Sequence, residues 1–413
     1  MLMLRKFGVL LHRWIGLSVA VFLFIAGLTG AFISWDHELD AWLNPHLYEP
    51  ATQGDPLPVE TLIARLEAQD PRVMVTFSPL EVEPGHALLV SVTGRIDPST
   101  GKAYDLGFNQ VALDPVTGQI QGKREWGAIS LSRENLLPFL YKLHYTMHLP
   151  NVNGVELGMW FMGLVSIAWF LDCFIALYLS FPSWRTWRKS FAFRLRKGGY
   201  ALNFDLHRSG GVWLWGLLLL LAVTSISLNL NTEVVRPVVN MISPLTPTPF
   251  ETRPMRPLDE PIMPALQRTQ IVELARAEAR RLDIAEPAGG VFYGALQGIY
   301  GVGFYEPGND HGDGGLGNTW LYFDEKDGKP LGAHIPGTGS AGDIFMQAQF
   351  PLHSGRILGI PGRILVSLLG LTVAMLSVTG VVIWARKRKG RMASAKNAPA
   401  GVRLGTDRAP AVQ

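Results

Sequence analysis

Four apolar runs decide what this chain can be. Residues 14–35, 157–181, 212–230 and 364–384 each supply the roughly twenty residues that a helix needs to cross a hydrocarbon core of about 30 Å. Every run carries a tryptophan at or near an end, where a membrane protein places its aromatic belt. Only 17% of the 413 residues are charged and the mean hydropathy is +0.17, values uncommon in a water-soluble chain of this length. The basic start and first apolar run resemble a signal peptide, but the run is too long and lacks a small-residue cleavage site, so it is read as a retained helix. The single cysteine, Cys173, lies inside the second run, which excludes an intramolecular disulfide and speaks against iron–sulfur ligation by thiolates.

Basic residues orient the runs. Arg5, Lys6 and Arg13 stand at the first; Arg185, Arg188, Lys189, Arg194, Arg196 and Lys197 fill the short loop between the second and third; Arg386, Lys387, Arg388 and Lys389 follow the fourth. By the positive-inside rule both termini and that loop are cytoplasmic, and the long segments 36–156 and 231–362 lie outside, in the periplasm of a Gram-negative cell. Because the clusters flank spans and the net charge is only +3, they imply topology and contact with lipid, with no nucleic-acid partner. The expected division is a cytoplasmic N-terminus with the first helix (1–36), an external domain (37–143), a histidine-bearing segment with the second helix (144–181) and a basic cytoplasmic loop (182–206). The third helix (207–230), a second external domain (231–350), a histidine-bearing segment with the fourth helix (351–385) and a disordered cytoplasmic tail (386–413) complete it.

The two halves of the chain repeat one plan. His12-Arg13 opens the first and His207-Arg208 the second. Within the external segments, residues 111–120 and 321–330 both read as a strand, an Asp-initiated turn closed by Gly, and a return strand. Helical periodicity precedes each turn at 58–68 and 271–282, followed by strand-like runs at 73–77 and 87–92, and at 290–293 and 300–304. Two small α+β domains, each a helix on an antiparallel sheet, and an internally duplicated chain are the expectation.

Ten histidines carry the chemistry that remains. His46, His86, His311 and His334 fall in the external domains without a partner by spacing, and His37 sits just outside the first span, so surface roles suffice for these five. His12 and His207 differ, because each stands at the cytoplasmic start of a span, at one depth. Gly16 and Gly211 follow one helical turn later and leave room for a flat macrocycle against the helix. On the outer side His144 and His148 form an i, i+4 pair before the second span, and His353 precedes the fourth. Two imidazoles at each of two depths suit haem iron better than zinc, which wants three or four ligands. Arg13, Arg208 and Arg356 could pair with haem propionates, although positive-inside charge equally explains the first two. Asp172, within the second span, suggests proton handling, a quinol contact or a neutral buried carboxyl. The loop 306–315 reads as a flexible turn rather than a cation site.

A set of motifs spread over nearly the whole chain resembles the PepSY-associated transmembrane family: Leu11-His12-Arg13-Trp14-Ile15-Gly16-Leu17, Leu28-Thr29-Gly30, Glu38-Leu39-Asp40 with Asn44-Pro45, Leu143-His144-Tyr145 through Leu149-Pro150, Asp205-Leu206-His207-Arg208, and Pro351-Leu352-His353-Ser354-Gly355-Arg356. The resemblance implies four membrane helices, PepSY-like external domains and, in the branch it is most similar to, an iron-regulated inner-membrane reductase of ferric siderophores such as ferrioxamine. It implies two haem b groups, the inner one on His12 and His207 and the outer one on His353 with His144 or His148, fed by quinol or a cytoplasmic reductase. Such a protein needs no catalytic acid, base or nucleophile. The rival class is a non-redox membrane module whose external domains bind or inhibit a partner protein.

Overall fold

The structure, a computed structural model, describes residues 2–152 and 154–396. In chain order its elements begin with α1 (Leu2–Ile33), α2 (Asp36–Leu43), α3 (Pro45–Tyr48), α4 (Val59–Gln69), β1 (Val73–Pro79), β2 (Leu88–Gly94), β3 (Gln110–Leu113) and β4 (Ile120–Arg124). After these come α5 (Leu136–Thr146), the short hairpin β5 (Asn151–Val152) and β6 (Val155–Glu156), α6 (Leu157–Ser180), α7 (Gly199–Trp213) and α8 (Trp215–Asn229). The rest is α9 (Arg236–Ile242), α10 (Pro249–Thr252), α11 (Arg268–Arg281), β7 (Ala288–Gly294), β8 (Ile299–Phe304), β9 (Thr319–Asp324), β10 (Pro330–His334), α12 (Ala341–Ser354) and α13 (Ile360–Lys396). The described residues form two compact units, one of residues 2–27, 168–219 and 371–396, the other of residues 28–152, 154–167 and 220–370.

Among the described residues, α1, α6 and α13 are long and apolar enough to cross a membrane, and α7 with α8 makes a fourth candidate bent by 72°. Large apolar side chains such as Val21, Leu164 and Leu368 stand exposed along these helices, as lipid-facing residues do. The bend departs from the single straight third helix expected at 212–230. Ser209, Gly210 and Gly211 weaken the end of α7, and Leu214 leaves helical geometry with its N–H still bonded to the Gly210 carbonyl. His207 therefore lies inside α7 rather than opening α8, and His12 lies inside α1, because Leu2 to Leu11 contains no proline and only one glycine, Gly8, among mostly strong helix formers and so extends the first helix. Residues 386–396, expected to be disordered, continue α13; residues 397–413 lie outside the described residues.

In the second unit the strands form one sheet in the order β10-β9-β8-β7-β1-β2-β3-β4. Each half is an antiparallel meander with one helix on it. Leu62, Ile63 and Leu66 of α4 are buried against Val73, Val90 and Val111, and Ile271, Ala275 and Ala279 of α11 against Val291, Val302 and Phe323. The turns after β3 and β9 match atom for atom: Asp114 and Asp324 each donate a backbone N–H across the hairpin and accept one from the glycine four residues on, Gly118 and Gly328, both left-handed. The two meanders were expected as separate domains. Instead β1 pairs with β7 through Phe77–Phe292, Ser78–Val291 and Pro79–Gly290, which removes an open edge from each half.

Candidate functional site

In the first unit His12 of α1 faces His207 of α7, their ring centres 6.0 Å apart and their planes tilted by 48°. His12 Nδ1 lies 2.9 and 3.0 Å from the two carboxylate oxygens of Asp172 on α6. His207 Nδ1 lies 3.0 Å from the Leu376 carbonyl and 3.2 Å from the Thr379 hydroxyl. Carboxylate and carbonyl oxygens only accept, so Nδ1 carries the proton in both rings and Nε2 keeps the lone pair that a metal would take. A side chain at Gly380 would put its Cβ 3.0 Å from His207 Cε1, so the missing side chain there seats the ring. At Gly16 a Cβ would meet nothing within 4 Å, and at Gly211 only Leu376 at 4.0 Å, which leaves open space one turn beyond each histidine. Arg13 and Arg208 each hold a buried Nε with no hydrogen-bond partner. Arg208 also donates to the Lys189 carbonyl at 2.5 Å and sits 3.7 Å from Asp205.

The second unit repeats that geometry. His144 of α5 faces His353 of α12 with centres again 6.0 Å apart, tilted by 58°. His353 Nδ1 is 3.0 Å from the Thr224 hydroxyl, whose own proton goes to the Leu220 or Leu221 carbonyl, so the oxygen accepts from the ring. His144 Nδ1 is 3.1 Å from Thr29 Oγ1, and a Cβ on Gly30 would come within 2.9 Å of His144 Cε1. His148 is not part of this pair. Helix α5 stops at Thr146, and Met147 and His148 turn left-handed at φ 52° and 53°, which destroys the i, i+4 relation. Its ring stacks on Phe139 at 4.5 Å, with Nε2 3.0 Å from the Phe139 carbonyl.

Beside this lies a cavity of about 510 Å³ whose walls include His37, Trp126, Tyr141, His311, Arg356 and Arg363. Arg356 is bonded to Asp313 at 2.6 Å and lies 3.8 Å from Asp36, so its charge, expected to await a propionate, is already matched. Arg363 is bonded to Glu38 at 2.7 Å and to the Ser34 carbonyl at 2.8 Å, and stacks over Trp35 at 4.3 Å. His37 and His311, expected as isolated surface groups, face each other with ring centres 6.3 Å apart. His311 contacts Asp310 at 2.6 Å, and that bond raises its pKa above the ordinary imidazole value. Loop 306–315 is anchored rather than loose: Asp313 meets Arg356, and Gly314 and Gly315 donate N–H groups to the Arg356 and Ile357 carbonyls. Among the described residues no three His, Cys, Asp or Glu side chains gather as a closed metal site would need.

Of the groups that hold the rings, sequence reasoning singled out Asp172 but missed Thr29, Thr224, Leu376 and Thr379 as ring partners. A signal for them exists: the same seventeen-residue step separates His12 from Thr29 and His207 from Thr224, and a Thr-Gly step recurs at 29–30 and 379–380. Each is a hydroxyl to take Nδ1–H, or a gap to seat the ring, written into an apolar helix that has no other use for it.

Apolar helices of spanning length, a sheet-rich portion and imidazoles clasped in pairs define a multi-pass membrane protein. The chain belongs to the family of the PepSY-associated TM region, which it matches over residues 9–387. A search of curated proteins finds no match.

Proposed function

We propose that this protein is a haem-dependent ferric-chelate reductase of the bacterial inner membrane, carrying two haem b groups and delivering electrons to Fe(III) held in the periplasm. The observation that carries the reading is the recurrence of one geometry, two imidazole pairs with centres 6.0 Å apart in both places. With metal–imidazole bonds of about 2 Å on each side, rings that flank one iron stand about 6 Å apart. The fit extends past the ligands. Open space at Gly16 and Gly211 would admit the macrocycle, and the unpartnered Nε atoms of Arg13 and Arg208 would donate to propionates. A single cysteine rules out two-thioether attachment, so the groups would be b-type. When bound, haem supplies one-electron chemistry between Fe(III) and Fe(II).

The chain's own work is placement. Asp172, Leu376 and Thr379 fix the rings of the first pair, and Thr29 and Thr224 those of the second. The charge distribution supports cytoplasmic termini, a cytoplasmic loop at 182–206 and periplasmic sheet segments, with four spans of which the third is broken at Leu214. Matching meanders, matching turns and the seventeen-residue His-to-Thr step support a duplicated chain. The substrate is a ferric siderophore, of hydroxamate type such as ferrioxamine, docked at the cavity beside His144 and His353, which has the size of a small-molecule site. Gaining one electron weakens the hold of its oxygen donors, and Fe(II) leaves; quinol or a cytoplasmic reductase supplies the electron. An absorption spectrum of the full chain, purified after haem supplementation, tests this. A Soret band and sharp reduced α-band are expected, followed by reoxidation when ferrioxamine is added without oxygen. A spectrum with no Soret band would sink the redox reading, and reduced haems unchanged by ferrioxamine would sink the substrate.

A further inference from the structure

The four rings are not held alike. Three Nδ1 atoms meet neutral oxygens, of Leu376 and Thr379, Thr29, and Thr224, whereas that of His12 meets a carboxylate, both oxygens of Asp172 within 3.0 Å. Asp172 is also the only Asp or Glu in α1, α6, α8 and α13. It is 8% exposed, and a buried carboxylate in an apolar helix costs several kcal/mol unless it is matched. The halves of the chain diverge at this point: His207 is held by Thr379 on the last spanning helix, and His12 by Asp172 on α6.

We infer that Asp172 is a positioning residue that makes the His12–His207 centre the more reducing of the two and so gives electron flow its direction. The inference rests on the two-haem reading. A carboxylate that accepts Nδ1–H pushes electron density onto Nε2 and adds negative charge beside the metal. Both effects favour the oxidised over the reduced centre, which lowers the potential. Hydroxyl and carbonyl acceptors do this more weakly. With both groups bound, an electron would pass downhill from the His12–His207 centre to the His144–His353 centre, oxidising one and reducing the other, with no bond formed and no proton moved.

Optical redox titration of the full-length, haem-loaded protein is the test. The native chain should titrate in two waves, the lower of which vanishes in His207→Ala. Asp172→Asn, which keeps the shape and an acceptor oxygen but no charge, should retain both haems and raise the lower wave by at least a tenfold change in equilibrium, about 59 mV for one electron. Thr224→Ala should leave that lower wave where it is. Should Asp172→Asn lose haem, Asp172→Glu, which keeps the charge, must preserve the low wave; a Glu variant with haem whose lower wave has risen overturns the inference. It is also overturned if Asp172→Asn shifts neither wave and only slows reduction by quinol, which would make Asp172 a quinol or proton site. Failure of the parent reading looks different, since the native chain would then show no haem at all. Two haems of equal potential would defeat this inference and leave that reading standing.

Discussion

The two imidazole pairs agree in ring spacing and differ in what stands behind them. Around His12 and His207 the supports are a carboxylate, a carbonyl and a hydroxyl, with two arginine Nε atoms left unpartnered. Around His144 and His353 the supports are hydroxyls, and the nearby Arg356 is already engaged by Asp313. Ring spacing is thus the shared quantity, while the groups behind the rings differ between the two pairs. One ring in each pair rests on a Thr-Gly step and its partner on a lone acceptor.

The comparison breaks most visibly if the pairs are not independent. On the proposed two-haem reading, His207→Ala and His353→Ala should each remove about half of the bound haem and leave the other half spectrally unchanged, because each change takes a ring from one pair only. Haem quantified per chain by pyridine haemochrome would show it, and loss of all haem from either change would contradict two separate sites. A smaller effect is expected at the seats. Gly30→Val and Gly380→Val would drive a side chain into His144 and His207, which lie within about 3 Å of the added Cβ. Haem affinity at the matching site should fall roughly 10- to 100-fold, as for other groups that orient a ligand, measured by titration of apoprotein. His148→Ala should leave haem content unaltered, since its ring packs on Phe139 away from His353; haem loss equal to that of His144→Ala would reinstate it as a ligand.

Much of this was legible before any coordinates. Apolar length and Trp-flanked ends located the spanning helices, a strand-like run located β2, and the strand before an Asp-initiated turn located β9; the side chains of both strands alternate between buried and half-buried. His12, His144, His148, His207 and His353 stood out because imidazole is costly near lipid. What could not be read was set by contacts distant in sequence. The β1–β7 seam is made of backbone groups, which leave no residue signature, and it turned two expected domains into one sheet. The i, i+4 spacing of His144 and His148 promised a shared helix face, yet two successive left-handed residues, Met147 and His148, ended the helix between them. His37 and His311 come together only because the chain folds back 274 positions later in a loop that reads as an ordinary turn.

The smallest effect expected is at that loop, and its sign follows from the two partners of one bond. His311 is raised above the ordinary imidazole value of about 6.5, chiefly by its bond to Asp310, so its contribution to stability is complete below pH 6.5 and disappears as pH climbs through the raised value. Burial pushes the Asp310 carboxyl up, but its bond to His311 and the charge of that ring outweigh this and hold it below the ordinary value of about 3.9. Its contribution is therefore present above pH 3.9 and is lost as pH falls through the lowered value. The pair should stabilise the sheet-bearing unit most between about pH 4 and 6.5. Because both side chains are partly open to water, the gain is modest. The melting temperature of the native chain minus that of His311→Gln, followed from pH 4 to 9 in detergent, should be greatest in that window and shrink on the alkaline side. A difference that grows with alkalinity would mean that His311 is held neutral, and that the cavity it faces is electrostatically unlike the one described.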